Sequence, residues 1–213
     1  MNRVKPEWKH HRIIHSKYPP IDCFESADSL ILGELESATS DRLAHWPRYV
    51  DDKDFRYGPG WGPVMASFCY PATGRFNTAA RGAYYAGDSV ETAIREWVYH
   101  IGGIWRGFGV GNDYSAVVRC YTGYTAELLI DLRGQARYLH DSDYAPGQQI
   151  AADLLSAGEY GILYHSVRNP NAEAVALLRP PATTPVVQAG HYVLQWDGAR
   201  FTRYARIEEY QPL

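Results

Sequence analysis

Cysteine is scarce in this sequence: Cys23, Cys69 and Cys120 are the only three in 213 residues, odd in number and without a C-x-x-C spacing. That excludes a disulfide framework and a zinc ribbon, and fits a reducing cytoplasm. Long apolar runs are absent as well, and the opening MNRVKPEWKHHR is polar, so neither a membrane span nor a secretory h-region is predicted. Charge of one sign never accumulates: 24 acids and 21 bases leave a net charge of −3 with no basic run, which argues against direct nucleic-acid binding and against a membrane-surface binder. Standard catalytic strings are missing too. No G-x-x-x-x-G-K-[ST], H-E-x-x-H or G-x-S-x-G occurs, and GPGWG and GFGVG lack the G-x-G-x-x-G spacing of a dinucleotide fingerprint. His10, His11 and His15 have no cysteine or carboxylate at ligand spacing and are expected to be solvated, so no metal site is predicted.

What is present is a sequence of ordinary globular composition, 46% hydrophobic and 21% charged, read as one cytoplasmic domain over residues 1–213. Tyrosine is abundant, seventeen against six phenylalanines and six tryptophans. A ring with a polar edge suits pockets for ring-bearing ligands, and equally suits half-buried strands. Residues 1–25 read as a polar, proline-broken N-terminal segment, followed by helical spacing over 26–38. Residues 46–73 read as a long loop with a short apolar strand at 64–70, and 82–86 as a β-prone run. Asp88 with Glu91 forms a candidate capping box for a helix whose apolar positions run from Val90 to Ile101 and which Gly102 and Gly103 should end. Segments 114–122 and 125–131 read as a hairpin about Gly123. A helix follows from Pro146 to Gly158, then strands at 161–167 and 173–179. A last hairpin, 192–196 with 201–206, is signalled by Asp197-Gly198. Strands with few helices and hairpin connections favour an α+β class.

Chemistry concentrates in GRFNTAARGAYYAGDSVETAIREWVYH. Arg75 precedes a run containing Tyr84 and Tyr85, and Glu96 follows on the helix at the border of its apolar stripe, where its carboxylate is only partly wet. A border glutamate also fits a plain surface pair with Arg95 or Arg81, and an isolated arginine fits a solvated surface. The stretch resembles the RES-domain family of bacterial toxins, named for an arginine, a glutamate and a serine, in its G-R-[WF]-N opening, strand tyrosine and helical glutamate. The separations, ten residues from Arg75 to Tyr85 and eleven from Tyr85 to Glu96, are similar to that family's. GILYHSVRNP resembles its serine segment, with the serine at Ser166, and AEAVALLRP the strand that follows. HRIIHSKYPPIDCFE resembles the start of a longer subfamily, although His15 and Lys17 stand where proline and arginine are expected, as Asn171 and Ala172 stand in place of glycines.

The resemblance implies an ADP-ribosyltransferase-like mixed β core with a few flanking helices, NAD as substrate, and a cognate antitoxin of Xre type as partner. Cleaving the nicotinamide–ribose bond passes through an oxocarbenium-like state, for which Glu96 would supply the stabilising carboxylate and a hydrogen-bond acceptor for a ribose hydroxyl. Tyr85 would flank the nicotinamide, Tyr84 facing the other way along the strand. Arg75 and Arg12 would offer forked donors to pyrophosphate or ribose, while Lys17 keeps a charge without the fork. Ser166 would donate to ribose or amide rather than attack, since His165 should face away. The acceptor of ADP-ribose is left open between a protein, such as an enzyme of nucleotide metabolism, and phosphate or water. Two other readings stand beside this one: a catalytically silent antitoxin-binding module, and a nucleosidase or glycosidase not using NAD, which would need a second carboxylate such as Asp131 or Asp141 at about 5–9 Å from Glu96.

Overall fold

The structure, a computed structural model, describes residues 1–16 and 46–207; the helix predicted over 26–38, and with it Lys17 and Cys23, lies outside them. In chain order the described elements are β1 (Arg3–Val4), β2 (Lys9–His15), α1 (Gly62–Cys69), β3 (Tyr84–Gly87), α2 (Val90–Gly107), β4 (Asn112–Tyr124), β5 (Leu129–Asp131), α3 (Ala145–Ser156), β6 (Gly161–His165), β7 (Glu173–Leu177), β8 (Val187–Asp197) and β9 (Phe201–Ile207). The strands form one sheet in the order β1-β5-β6-β7-β3-β2-β4-β8-β9. All neighbours are antiparallel except β5 and β6. This mixed sheet with a few helices on its faces is the expected α+β class. None of the described helices is long and apolar enough to cross a membrane.

Alternation along the strands decides which helix covers which face. On one face Tyr84, Leu163, Val175 and Leu177 pack with Val64, Met65 and Phe68 of α1. On the other, Ile162, Tyr164, Ala174 and Ala176 meet Ile150, Ala151 and Leu154 of α3. The register pairs His11 with Gly87 and Ile13 with Cys120, so Ile13, Val118 and Cys120 share the Tyr85 face, and there they receive Ala93 and Ile94 of α2. Helices α2 and α3 therefore lie side by side on one face, and α1 covers the reverse.

Several expectations need correction. The apolar run at 64–70 is helical rather than extended. Pro63 sits in the first turn of α1, and Val64, Met65 and Phe68 are buried at helical spacing, which a short apolar run does not reveal by itself. The segment read as polar and N-terminal carries β2, in the middle of the sheet. His10, expected in solvent, is fully buried, with Nε2 2.8 Å from Thr183 Oγ1, and burial is the chief cause of a pKa lowered to about 4. There is no hairpin about Gly123. β4 runs straight through it, between β2 and β8, while β5 lies across the sheet beside β1 and β6. Gly123 is there for close approach, since a Cβ would stand 3.0 Å from the His10 ring. The N-cap of α2 is Ser89, whose side chain accepts from Thr92 N, and the helix continues past Gly102 and Gly103 to Gly107. The late hairpin, β8 with β9, falls where Asp197-Gly198 predicts it.

The 46–73 segment is held by one buried ion pair. Asp54, 1% exposed, accepts from Arg179 Nε and Nη2 at 2.6 Å each. Removing one partner of such a pair leaves the other charged in a dry setting. Asp54→Ala is expected to cost about 3–5 kcal/mol in urea denaturation; a loss below about 1 kcal/mol, the usual worth of an exposed pair, would show that water replaces the partner.

Candidate active site

The Gly74–Asn77 loop is built by side chains that bond to backbone. Asn77 Nδ2 donates to the carbonyls of Ala72, Thr78 and Arg81 at 2.7, 3.0 and 3.2 Å. Its Oδ1 accepts from the Tyr85 hydroxyl at 2.8 Å, and that hydroxyl accepts from Phe76 N at 2.8 Å. The loop is thereby pinned to β3. Gly74 carries no side chain because a Cβ would lie 2.5 Å from Asn77 Oδ1 and 2.9 Å from the Tyr85 oxygen. From α3, Gln148 Nε2 donates to the carbonyls of Gly74 and Asn77. Phe76 is buried and its ring forms a T-shaped pair with Tyr164. Arg75 between them is 8% exposed; its Nη1 donates to the His140 carbonyl and its guanidinium lies 4.9 Å from the Tyr144 ring centre.

Glu96 enters this cleft from α2, and Ser166 meets it from the turn after β6. The Ser166 hydroxyl donates to Glu96 Oε1 at 2.8 Å and accepts from the backbone N–H groups of Arg168 and Asn169 at 3.2 and 3.1 Å. The serine proton is thus committed to the carboxylate, and its oxygen is saturated by two amides. Burial pushes the Glu96 carboxyl above the ordinary glutamate range, outweighing the Ser166 hydrogen bond and the Arg168 and Arg75 charges, which pull it down. A second chain of bonds fixes the serine turn against the start of α2. Asn169 Nδ2 donates to Thr92 Oγ1 at 2.9 Å, Thr92 Oγ1 to Asp88 Oδ1 at 2.7 Å, and Glu173 N to Asp88 Oδ2 at 2.7 Å.

The structure therefore brings together Arg75, Tyr85, Glu96 and Ser166 of the residues singled out in the sequence, and leaves out Arg12. Its Nη1 donates to the Tyr85 carbonyl at 2.9 Å, but its guanidinium stacks 4.8 Å from the Tyr84 ring, on the reverse face. Tyr84 is fully buried there. Lys17 lies outside the described residues. His165 is exposed at the strand end and makes no bond to Ser166. Neither carboxylate weighed as a second catalytic acid is free: Asp131 takes both of its oxygens to Arg133, and Asp141 is paired with Arg168.

Sequence reasoning passed over Asn77, Gln148, Tyr99 and Arg168. Asn77 and Arg168 sit inside GRFN and HSVRNP, so the strings contained them without showing their roles. Arg168 ties the serine turn to α2 by placing its guanidinium 3.3 Å from the Tyr99 ring centre.

The raised Glu96 carboxyl has a consequence for stability. With the folded pKa above the unfolded one, the unfolded chain ionises first as pH rises, so stability present at low pH is lost as pH climbs through the folded pKa. Glu96→Gln is expected to be more stable than wild type in urea at pH 7, with the advantage vanishing below about pH 4. An advantage independent of pH would place its origin elsewhere than in the carboxylate.

Comparison with known proteins shows what the chain resembles as a whole. The protein y4oC of Sinorhizobium fredii is 24% identical over 212 residues, covering 95% of this chain and 89% of its own. A chain in the crystal structure of the M. tuberculosis MbcT-MbcA toxin-antitoxin complex superposes with a TM-score of 0.47 at 10% identity, covering 96% of this chain and 86% of that one. A model of the RES domain matches residues 42–197, which contain Arg75, Tyr85, Glu96 and Ser166, and the chain belongs to the RES domain family.

Proposed function

We propose that this protein is the toxin of a toxin–antitoxin module and that it cleaves the nicotinamide–ribose bond of NAD, passing ADP-ribose to an acceptor. The observation that carries the reading is a half-buried carboxylate, Glu96, held in one orientation by Ser166 beside Arg75 and Tyr85, while Asp131 and Asp141, the carboxylates weighed as its acid–base partner, are both paired with arginines. Membership of the RES family supports the same role.

In this mechanism the C1′–N bond of the nicotinamide riboside breaks, and its electron pair goes to the pyridinium nitrogen, which becomes neutral. Positive charge left on the ribose is stabilised by the Glu96 carboxylate, which also accepts a bond from a ribose hydroxyl. Ser166 keeps that carboxylate aimed, so no reorganisation is needed as the charge develops. Tyr85 has its hydroxyl tied back to Phe76 and Asn77, which leaves the ring available to flank the nicotinamide. Arg75, buried and held from one side by His140, presents its remaining donors to the ribose and the adjoining phosphate. The acceptor oxygen then bonds to C1′ and releases its proton, whether it belongs to water, phosphate or a protein side chain such as one of a nucleotide-metabolism enzyme. An Xre-type antitoxin would restrain the activity by covering this cleft.

The test is nicotinamide release from NAD by purified protein, with phosphate present or omitted, followed by chromatography. Wild type is expected to release nicotinamide, and Glu96→Ala to be slower by about 10²–10³-fold, the usual cost of removing one transition-state stabiliser. The rate should fall on acidification at a pH above the ordinary glutamate range, because the ionised carboxylate is required and burial raises its pKa. No release with water or phosphate, and no labelled protein from a lysate given labelled NAD, would replace the enzyme with the silent antitoxin-binding module.

A further inference from the structure

Beside the Glu96 cleft, and sharing a wall with it, is an open cavity of about 250 Å³ between α2 and the start of β9. Arg95, Arg106, Arg168 and Arg200 line it, around a floor that includes Tyr99 and Phe201. Four guanidinium groups about one hollow are a local concentration that the overall charge of −3 does not supply.

Three of the four have carboxylates near them. Arg95 bonds Glu91 on the exposed face of α2, Arg168 pairs with Asp141, and Arg200 lies 3.9 Å from Asp197. The Asp197 pairing is loose, because one of its oxygens already accepts from Ala199 N and Arg200 N, and the Arg200 side chain is 79% exposed. Among the described residues no carboxylate pairs with Arg106; its Nη1 donates to the Ala199 carbonyl at 3.2 Å. The hollow therefore keeps an excess of positive charge, carried by Arg106 and Arg200 at its outer end. Exposed guanidinium pairs of this kind exchange partners at little cost.

Its position says which anion. Arg168 belongs to both sites: its backbone N–H holds Ser166, while its guanidinium lies on Tyr99 and faces the hollow. Along α2, the ten residues from Glu96 to Arg106 span about 15 Å. A ligand whose ribose lies at Glu96 would thus carry its far half over an aromatic floor ringed by arginines. Apolar lining with a few convergent polar groups is the usual make-up of a small-molecule site, and the volume lies just below the common range of roughly 300–1,000 Å³. Forked guanidinium donors match phosphate oxygens, and aromatic faces suit a purine ring.

We infer that this arginine-lined hollow is the subsite for the adenosine diphosphate half of the substrate, with Arg106 and Arg200 gripping phosphate and Tyr99 and Phe201 facing the adenine. The ligand's identity rests on the NAD reading above. The hollow itself is tested without turnover, by calorimetric titration of ADP into wild type, Glu96→Gln, the double variant Arg106→Ala/Arg200→Ala, and Arg137→Ala, which removes an arginine from a different cavity. Wild type, Glu96→Gln and Arg137→Ala are expected to bind ADP alike, adenosine to bind less tightly than ADP, and the double variant to lose about tenfold or more in affinity, as for charged hydrogen bonds. Both substituted arginines are exposed, and a thermal melt matching wild type would show the double variant folded. Equal ADP affinity in the double variant and wild type would overturn the subsite, as would a polyglutamate peptide binding as tightly as ADP, which would assign the hollow to an acidic protein. Nicotinamide release with ADP binding insensitive to the double variant would sink the subsite alone. ADP held by the arginines without any nicotinamide release would sink the cleavage reaction and leave the hollow a nucleotide site.

Discussion

A carboxylate drawn partly out of water must find donors, and Glu96 finds its donor in Ser166. Much of the local architecture follows from that contact. The serine hydroxyl can give its proton to Glu96 only if other groups saturate its oxygen, and the N–H groups of Arg168 and Asn169 do so because the chain turns sharply after β6. That turn must in turn be held against α2, which the Asn169–Thr92–Asp88 chain accomplishes at the first turn of the helix. Asp88 then bonds the backbone of Glu173, so the helix start, the serine turn and β7 are one hydrogen-bonded unit. Burial still wins over these bonds at Glu96, and the carboxyl is left raised. A site that holds such a group is less stable than the same fold without it, and more responsive to positive charge developing nearby.

The sequence made parts of this visible because local physics decided them. Helix α2 declares itself by its apolar stripe, and the β8–β9 hairpin by Asp197-Gly198. Glu96 sits at the border of that stripe, so helical geometry alone predicts its half-burial. Other parts were hidden because tertiary partners overrode local pattern. β2 reads K-H-H-R-I-I-H and looks like a wet terminus, yet His10 is covered by Tyr84 and Thr183 and Arg12 stacks on Tyr84. Polarity in a strand signals solvent only when nothing across the sheet satisfies it. The same blindness misplaced Arg12: its parity along β2 puts it on the face of Tyr84, and parity could be counted only once the register with β3 and β4 was known.

The long 46–73 segment shows a different limit. Its glycines and prolines read as a long loop, but Trp46, Tyr49, Phe55 and Trp61 pack onto the core that α1 closes, and Asp54 anchors it to Arg179. That core lies on the reverse of the sheet from Glu96. These aromatics thus brace the scaffold, whereas the aromatics that face the cleft, Tyr85, Tyr99 and Tyr144, come from β3, α2 and the residue before α3.

The two faces of the sheet consequently do different work. Over β3, β6 and β7 the reverse face is covered by α1 and the braced segment, so its residues there are fixed by packing. On the front, α2 and α3 lie next to one another, and the cleft between them is bordered by the Gly74–Asn77 loop and the serine turn. Side-chain bonds to backbone set the shape of both borders: Asn77 and Gln148 hold one, Ser166 and Asn169 the other. Bonds of this kind fix direction without filling space, which is what a cleft requires: donors and a carboxylate held in place around a volume that the protein itself leaves unfilled. The family's arginine, glutamate and serine are therefore best understood together with the asparagine two residues beyond Arg75, because Asn77 Oδ1 and Phe76 N together tie the loop that carries Arg75 to the hydroxyl of Tyr85 on β3.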